Sequence, residues 1–565
     1  MDLFTLILNA AIVVICLLFI RHSFTRARYF LQMLQQHGYK THEYWHWLVD
    51  HFSSRAITTE HLLYNTVILA LILFLSESLT FLAGLLTIFV FTLFWFGSVK
   101  KYVPDKDKKP FVLTSRAQRL TAILAILVLP LYYYFGKIIF NSQIFYYVNT
   151  IQEPIGRFLT ADPYLLGFIF CLIDISIPFL IFPAAWLMKP VETSIQSGFK
   201  RQARRKIESM PHLKVVAITG SYGKTSTKFV IDAFLKERLN VCVTPGSFNT
   251  PMGICKVINN DLHSNHQVLI LEMGARYEGN IKELCDIAQP DISVVTNVGI
   301  SHLETFGSKE AIAREKSTLA RELKPGGTLV LNGSDPVVRE MGEGRSDIQR
   351  ILTGEENRQV WAEDRSIDEN GTAFTLHWQK DGKTDSVHVQ TKLLGDHNVQ
   401  NILQAAAVAQ LFDIRLKTIA VAASRIEPVE HRLELKKRGE LTVIDDAFNS
   451  NPIGAKNAVD LLAEFKTGRR IIITPGMIEL GELEEQENRA FGEHIAQSGI
   501  ELAILVGERQ TAPIRQGIEE TSYPGKPDVK VASTLFEAND ILSSYARAGD
   551  VVLYENDLPD SYNES

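Results

Sequence analysis

Residues 217–226 read Ala-Ile-Thr-Gly-Ser-Tyr-Gly-Lys-Thr-Ser, "AITGSYGKTS". The run before it, 213–219, is apolar and β-rich, and the run after it, 226–239, has helical periodicity. Strand, glycine turn and helix start is the setting in which backbone N–H groups and a helix N-terminus face a phosphate. Lys224 there supplies positive charge and Thr225 a hydroxyl for Mg²⁺, while Gly220, Ser221, Gly223 and Ser226 shape the loop and its first turn. The usual eight-residue pattern asks for glycine at position 218, where this chain has Ile218. The stretch predicts a nucleotide site in an α/β fold.

Two further strand-like runs converge on it. Residues 268–271 end in Glu272, a carboxylate where a metal ligand is needed beside phosphates, and 292–296 end at Asn297, followed by His302. The C-terminal ends of strands are where ligands sit in open parallel sheets.

Outward from this core, the chain has 565 residues, enough for three domains. Its 58 Lys and Arg stand against 64 Asp and Glu, a formal net charge of -6, which lacks the basic footprint of a nucleic-acid binder. The five cysteines (Cys16, Cys171, Cys242, Cys255 and Cys285) form no Cys-x-x-Cys pair. They read as small buried hydrophobes in a reducing compartment.

The first 190 residues are strongly apolar. Run 3–20 is uncharged and followed by Arg21, Arg26 and Arg28, so it reads as an uncleaved anchor rather than a signal peptide. Run 62–96, broken by Ser76-Glu77-Ser78, reads as a helical hairpin; 120–135 and 164–188 add two spans, making about five. Basic residues cluster after the first span, at 98–119 and after residue 188. That bias puts the N-terminus outside and everything after 189 in the cytoplasm. His42 and His46, at i, i+4 spacing, read as part of an aromatic interfacial helix rather than a metal pair. Asp174, inside the last span, reads as a helix-packing residue rather than a transport pathway.

After the anchor, 358–394 departs from the parallel rhythm. "TAFTLHW" and "SVHVQT", separated by a loop with Asp381-Gly382, predict a β-hairpin. Residues 429–565 alternate strand runs with helical ones and predict a smaller doubly wound domain. The acidic run 479–488 reads as a solvated helix start.

The ordered stretches "TGSYGKTS", "TPGSFNTPMG", "LEMGA", "TNVGISHLETFGS", "AIAREKSTLARELKPGGTLVLN", "GDHNVQNILQAAAVA", "EHRLEL", "DDAFNSNP" and "PGMIELGE", between about 213 and 510, resemble the Mur ligases. These are ATP-dependent amide-forming enzymes of cell-wall synthesis. Within them, the chain is most similar to the branch that adds D-alanyl-D-alanine to a muramyl tripeptide. After the transmembrane region read from the apolar runs at 1–190, the resemblance implies an α/β fold of two parts: a P-loop central ATP-binding domain at 207–428 and a Rossmann-like C-terminal domain at 429–565. It implies ATP and Mg²⁺ as cofactors, with Lys224 and Thr225 on the phosphates and metal, and Glu272 and His302 as metal ligands. Lys316 matches the lysine that the family carbamylates. Asn398 and Asn401 match residues near adenine, Arg432 and Asp445 or Asp446 match groups that close on the nucleotide, and Asn249 matches the loop near the acyl substrate.

The chain departs from the family's pattern where substrates are held. The N-terminal domain that recognises the uridine-diphosphate sugar has no counterpart, and "YENDLP" (554–559) replaces the family's Lys-Gly-Ser. Thr318 stands for a glutamate and Ser247 for an asparagine. The expectation is a multi-pass protein of the bacterial cytoplasmic membrane with its catalytic part in the cytoplasm. Its substrates would be a small or lipid-linked envelope precursor and an amino acid or dipeptide, with membrane proteins of envelope synthesis as partners. Two alternatives are a ligase making an exported polymer such as poly-γ-glutamate, and a nucleotide-dependent regulatory module of a membrane assembly.

Overall fold

The computed structural model describes residues 3–58, 102, 111–139, 158–354, 358–368, 371–428, 431, 433–447, 451–465, 468–478 and 480–557. The hairpin expected at 62–96 and the site residue Arg432 lie outside them. The chain divides into two compact units, Met1–Ile195 and Gln196–Ser565.

Among the described residues the first unit is helical. Three of the expected spans fall within the helices Leu3–Gln36, Ser115–Ile139 and Phe158–Glu208. Among the described residues one segment, Leu172–Glu208, is long and apolar enough to cross a membrane by length and composition. Asp174 packs as the sequence suggests: it accepts from Arg26 Nη1 at 2.6 Å and pairs with His22 Nε2 at 3.1 Å, all three side chains being buried. Arg26, counted by the sequence as a flanking cytoplasmic charge, is thus wholly buried. The short helix Thr41–Asp50 buries Tyr44, Trp47 and Leu48 and leaves His42 and His46 exposed.

The second unit carries two sheets. The larger has nine strands in the order β2-β3-β1-β4-β5-β6-β7-β8-β9, with β2 at Val241–Val243, β5 at Thr328–Asn332 and β6 at Gln349–Gly354. The strand that leads into the phosphate loop, β1 (Lys214–Thr219), is flanked in parallel by β3 (Val268–Glu272) and β4 (Ile292–Val295). Side chains alternate across a strand, and β1 does so between two cores. Val216 and Ile218 face one apolar cluster, Val215 and Ala217 the other. Burial on both faces explains why these strands read as continuous apolar runs. The predicted hairpin is β8 (Gly371–Lys380) against β9 (Lys383–Thr391), turning at Asp381-Gly382 with φ of 52° and 74°. With β7 (Val360–Asp368), also antiparallel to β8, it extends the same sheet and makes it mixed.

The smaller sheet runs β10-β11-β15-β12-β13-β14. Four of its strands match the predicted runs: β11 (Leu441–Asp446), β12 (Arg470–Thr474), β13 (Leu502–Val506) and β15 (Val551–Glu555). Two were not foreseen, β10 (Glu434–Arg438) and β14 (Asp528–Ala532), and β10 pairs antiparallel with β11. The acidic run does begin a helix, Glu484–Gln497, with Glu484, Glu485 and Glu487 in its first turn. Cys242, Cys255 and Cys285 are free and buried.

Candidate active site at the phosphate loop

Gly220 leaves β1 with φ +152°, and a Cβ there would lie 1.9 Å from Thr296 Oγ1. Gly223, at φ +78°, caps the helix Lys224–Leu235. The helix therefore begins two residues earlier than periodicity indicates, and Lys224 and Thr225 sit in its first turn, the end of a helix that favours an anion. The loop is braced by the end of β4: Tyr222 N donates to Asn297 Oδ1 (2.9 Å), and Thr296 Oγ1 donates to the Tyr222 carbonyl (2.6 Å). Ser221 Oγ meets Gly299, receiving its N–H at 2.8 Å. Lys224 folds back onto the loop, donating to the carbonyls of Gly220 (2.8 Å) and Ser221 (3.1 Å).

Glu272, at the end of β3, is buried and shared. Its Oε2 accepts from Thr225 Oγ1 (2.9 Å) and from Lys228 Nζ (3.2 Å), and its Oε1 accepts from Asn249 Nδ2 (3.1 Å). A carboxylate and a hydroxyl side by side are hard oxygen donors of the kind Mg²⁺ takes, so the pair fits the implied metal. His302 begins the short helix Leu303–Phe306 at φ +61° and is half-buried. Among the described residues no group of three His, Cys, Asp or Glu is arranged to hold a metal.

Lys316 lies in the helix Lys309–Arg321 and is buried. Burial, reinforced by the positive charge of Lys224, pulls its amine from 10.5 down to about 7, against the pull of Glu315. Glu315 itself is engaged, accepting from the N–H groups of Gly279 (2.8 Å) and Ile281 (2.7 Å) at a neighbouring helix start. The lowered pKa raises the neutral fraction of the Lys316 amine, the form that carbamylation requires.

Beside the loop a cleft of about 350 Å³ runs between the two sheets' domains. Gly223, Ser226, Asn398 and Asn401 line it from the central domain, and Asp446 and Asn457 from the C-terminal one. Asn398 and Asn401 are tied together (3.1 Å), and Thr227 Oγ1 donates to Asn401 Oδ1 (3.0 Å), which joins the phosphate-loop helix to the helix Asp396–Gln410. Gln404 lines the same cleft; its Oε1 is buried with no hydrogen-bond partner, an acceptor that a ligand N–H would satisfy. The structure separates the adjacent aspartates. Asp446 faces the cleft, whereas Asp445 is held by His431 Nδ1 and Lys436 Nζ, each at 2.8 Å.

Lys228, Thr227, Thr296 and Gln404 were not read as site residues. Only Lys228 carried a signal: it lies three residues after Thr225, on the same helical face.

The chain matches the family of the Mur ligase middle domain over residues 218–409, and that of the Mur ligase glutamate ligase domain over 431–554. It is 35% identical over 361 residues to the UDP-N-acetylmuramoyl-tripeptide–D-alanyl-D-alanine ligase of Mycobacterium tuberculosis (strain CDC 1551 / Oshkosh), covering 60% of this chain and 70% of the relative. The chain belongs to the Mur ligases. It is an ATP-dependent amide ligase of that family. The Mur ligase is also 32% identical over 297 residues to the protein of the same name from Bacillus subtilis, covering 52% of this chain and 63% of that relative. It spans 58% of the length of the Mycobacterium bovis relative, at 37% identity. Two solved structures share its fold. MurF from Acinetobacter baumannii superposes with a TM-score of 0.59 at 24% identity, covering 65% of this chain and 78% of that one. The MurF ligase from Thermotoga maritima in complex with ADP gives 0.57 at 24%, covering 65% and 82%. Both family matches begin after residue 217, so the Mur ligase's helical first unit lies outside them.

Proposed function

We propose that this Mur ligase is a membrane-anchored, cytoplasm-facing enzyme that joins D-alanyl-D-alanine to a muramyl-tripeptide-type envelope precursor. The observation that carries the reading is the Thr225–Glu272 pair beside Lys224, with the buried amine of Lys316, its pKa pulled down to about 7, within the electrostatic reach of Lys224. The substrate's carboxylate attacks the γ-phosphorus of ATP and ADP leaves, giving an acyl phosphate. The dipeptide's amine then attacks the acyl carbon, and phosphate leaves as the amide forms. Both steps build charge on oxygen. Lys224 and the helix N-terminus stabilise that charge, and enclosure between the two domains keeps water from the acyl phosphate. Thr225 and Glu272 would hold Mg²⁺, which supplies charge neutralisation at the phosphates when bound. Asn249 positions Glu272 from the loop assigned to the acyl substrate.

The apolar segment Leu172–Glu208 and the basic residues after residue 188 support the anchoring. An anchor raises the local concentration of a membrane-bound precursor or partner.

The test is phosphate release from Mg·ATP by the detergent-purified protein, with Lys224→Ala as control, in the presence of UDP-muramyl tripeptide and D-alanyl-D-alanine. Release that needs both, with the pentapeptide seen by mass spectrometry, supports the reading. Release only with other envelope acids and amines keeps the ligase and removes this substrate. Turnover indifferent to every acid and amine points instead to a nucleotide switch.

A further inference from the structure

Lys228 is the one buried cation that touches Glu272 among the described residues. It lies one turn after Thr225 on the phosphate-loop helix and has no exposed surface. Its Nζ donates to Glu272 Oε2 at 3.2 Å and also to the Gly246 carbonyl. Gly246 and Asn249 belong to the same loop, so Glu272 is tied to that loop twice, directly by Asn249 and through the Lys228 ammonium. Building an ion pair with 0% and 1% side-chain exposure is costly, and an apolar pair would serve the fold at least as well. The pair therefore calls for a role in the site.

We propose that Lys228 is a positioning residue, the resident counter-charge of Glu272. It holds the carboxylate toward Thr225 and the loop of Gly246, so that a divalent cation is taken up together with the nucleotide phosphates rather than by the bare protein. The inference rests on reading Thr225 and Glu272 as the metal-holding pair. A buried carboxylate without a counter-charge attracts any dication; an ammonium already bonded to the same oxygen repels it strongly in a medium of low dielectric. The several negative charges of a nucleotide reverse that balance. Because the ammonium also grips the Gly246 carbonyl, the cation's position and the acyl-substrate loop are set by one side chain.

The test is a Mn²⁺ titration of the full chain in detergent, followed by electron paramagnetic resonance, with and without ADP. It compares wild type, Lys228→Met, Lys228→Gln and Glu272→Gln. Wild type binds Mn²⁺ weakly alone and tightly with ADP. Both Lys228 variants bind nucleotide-free Mn²⁺ at least about tenfold more tightly than wild type. Their thermal midpoint is lowered without metal and recovers with Mn²⁺ alone, a recovery that a merely structural lysine would not show. Lys228→Gln keeps a donor for the Gly246 carbonyl and serves if the methionine variant does not fold. Nucleotide-free Mn²⁺ affinity in the Lys228 variants no greater than wild type, while Glu272→Gln abolishes Mn·ADP binding, overturns the proposal and leaves the metal site standing. Mn·ADP binding unchanged in Glu272→Gln overturns the metal site as well.

Discussion

The Thr225 hydroxyl donates to Glu272 Oε2 at 2.9 Å, joining the first turn of the phosphate-loop helix to the end of β3 across 47 residues of chain. Thr225→Ala removes one partner of a buried carboxylate and one oxygen offered to the metal. Phosphate release is expected to fall about 10²-fold with the fold intact. Steady-state rates at saturating Mg·ATP beside a thermal melt check this; a rate within twofold of wild type would show that the hydroxyl plays no part.

Lys316 gives the enzyme a pH signature. Its amine is protonated below about pH 7 in the folded protein, against about 10.5 in the unfolded chain. In that window the unfolded chain binds the extra proton, so this group makes stability rise with pH, and its cost to the fold is greatest below pH 7. Carbamylation needs the neutral form, so activity rises as pH passes about 7 and bicarbonate stimulates most below it. Rates measured from pH 6 to 9 with and without bicarbonate test this, and Lys316→Arg loses the bicarbonate response.

The close approach at Gly220 predicts a sharp steric effect. Gly220→Ala puts a methyl 1.9 Å from Thr296 Oγ1 and 3.1 Å from Asn297 N. The loop must shift, at a cost of about 1–3 kcal/mol. Calorimetry should show ADP binding lost, and adding Thr296→Ala should restore part of it by removing the nearer clash.

Asn401 joins two helices and faces the cleft. Asn401→Ala leaves the buried Thr227 hydroxyl without its acceptor, so ADP affinity is expected to fall by about tenfold. An isothermal titration with the alanine variant tests this; unchanged affinity would place the nucleotide elsewhere.

In the first unit, Arg26→Met removes the guanidinium that donates to the buried Asp174 carboxylate at 2.6 Å, and is expected to cost about 3–5 kcal/mol. Combining it with Asp174→Leu should return most of that stability, because no isolated charge then remains. Thermal unfolding of both variants in detergent distinguishes this pair from an incidental one.

Much of the central domain was legible in the sequence because its strands are buried on both faces and end in residues of particular chemistry. The runs ending at Thr219, Glu272 and Thr296 are of this kind, and the phosphate loop announces its own turn. The helix start was misplaced by two residues because Gly223's left-handed backbone, which periodicity cannot register, sets it. Strand β10, Glu-Leu-Lys-Lys-Arg, is a half-exposed edge strand with a single apolar residue, so no alternation reveals it. Asp445 and Asp446 were inseparable in sequence, yet neighbours on a strand point to opposite faces, and only Asp446 reaches the cleft. Lys228 escaped notice because a lysine on a helix is expected in solvent; what buries it is Glu272, 44 residues later.

The three cysteines of the second unit have a practical consequence. Burial pushes the thiols of Cys242 and Cys255 up to about 11 and that of Cys285 to about 12, so at neutral pH they hold almost no thiolate, the form that reacts with maleimides. A single cysteine introduced at Asn457 on the cleft's rim would therefore be the reactive thiol of this unit. A fluorophore there, paired with a second on the central domain, would turn the closing of the two domains over the nucleotide into a distance that can be followed in real time.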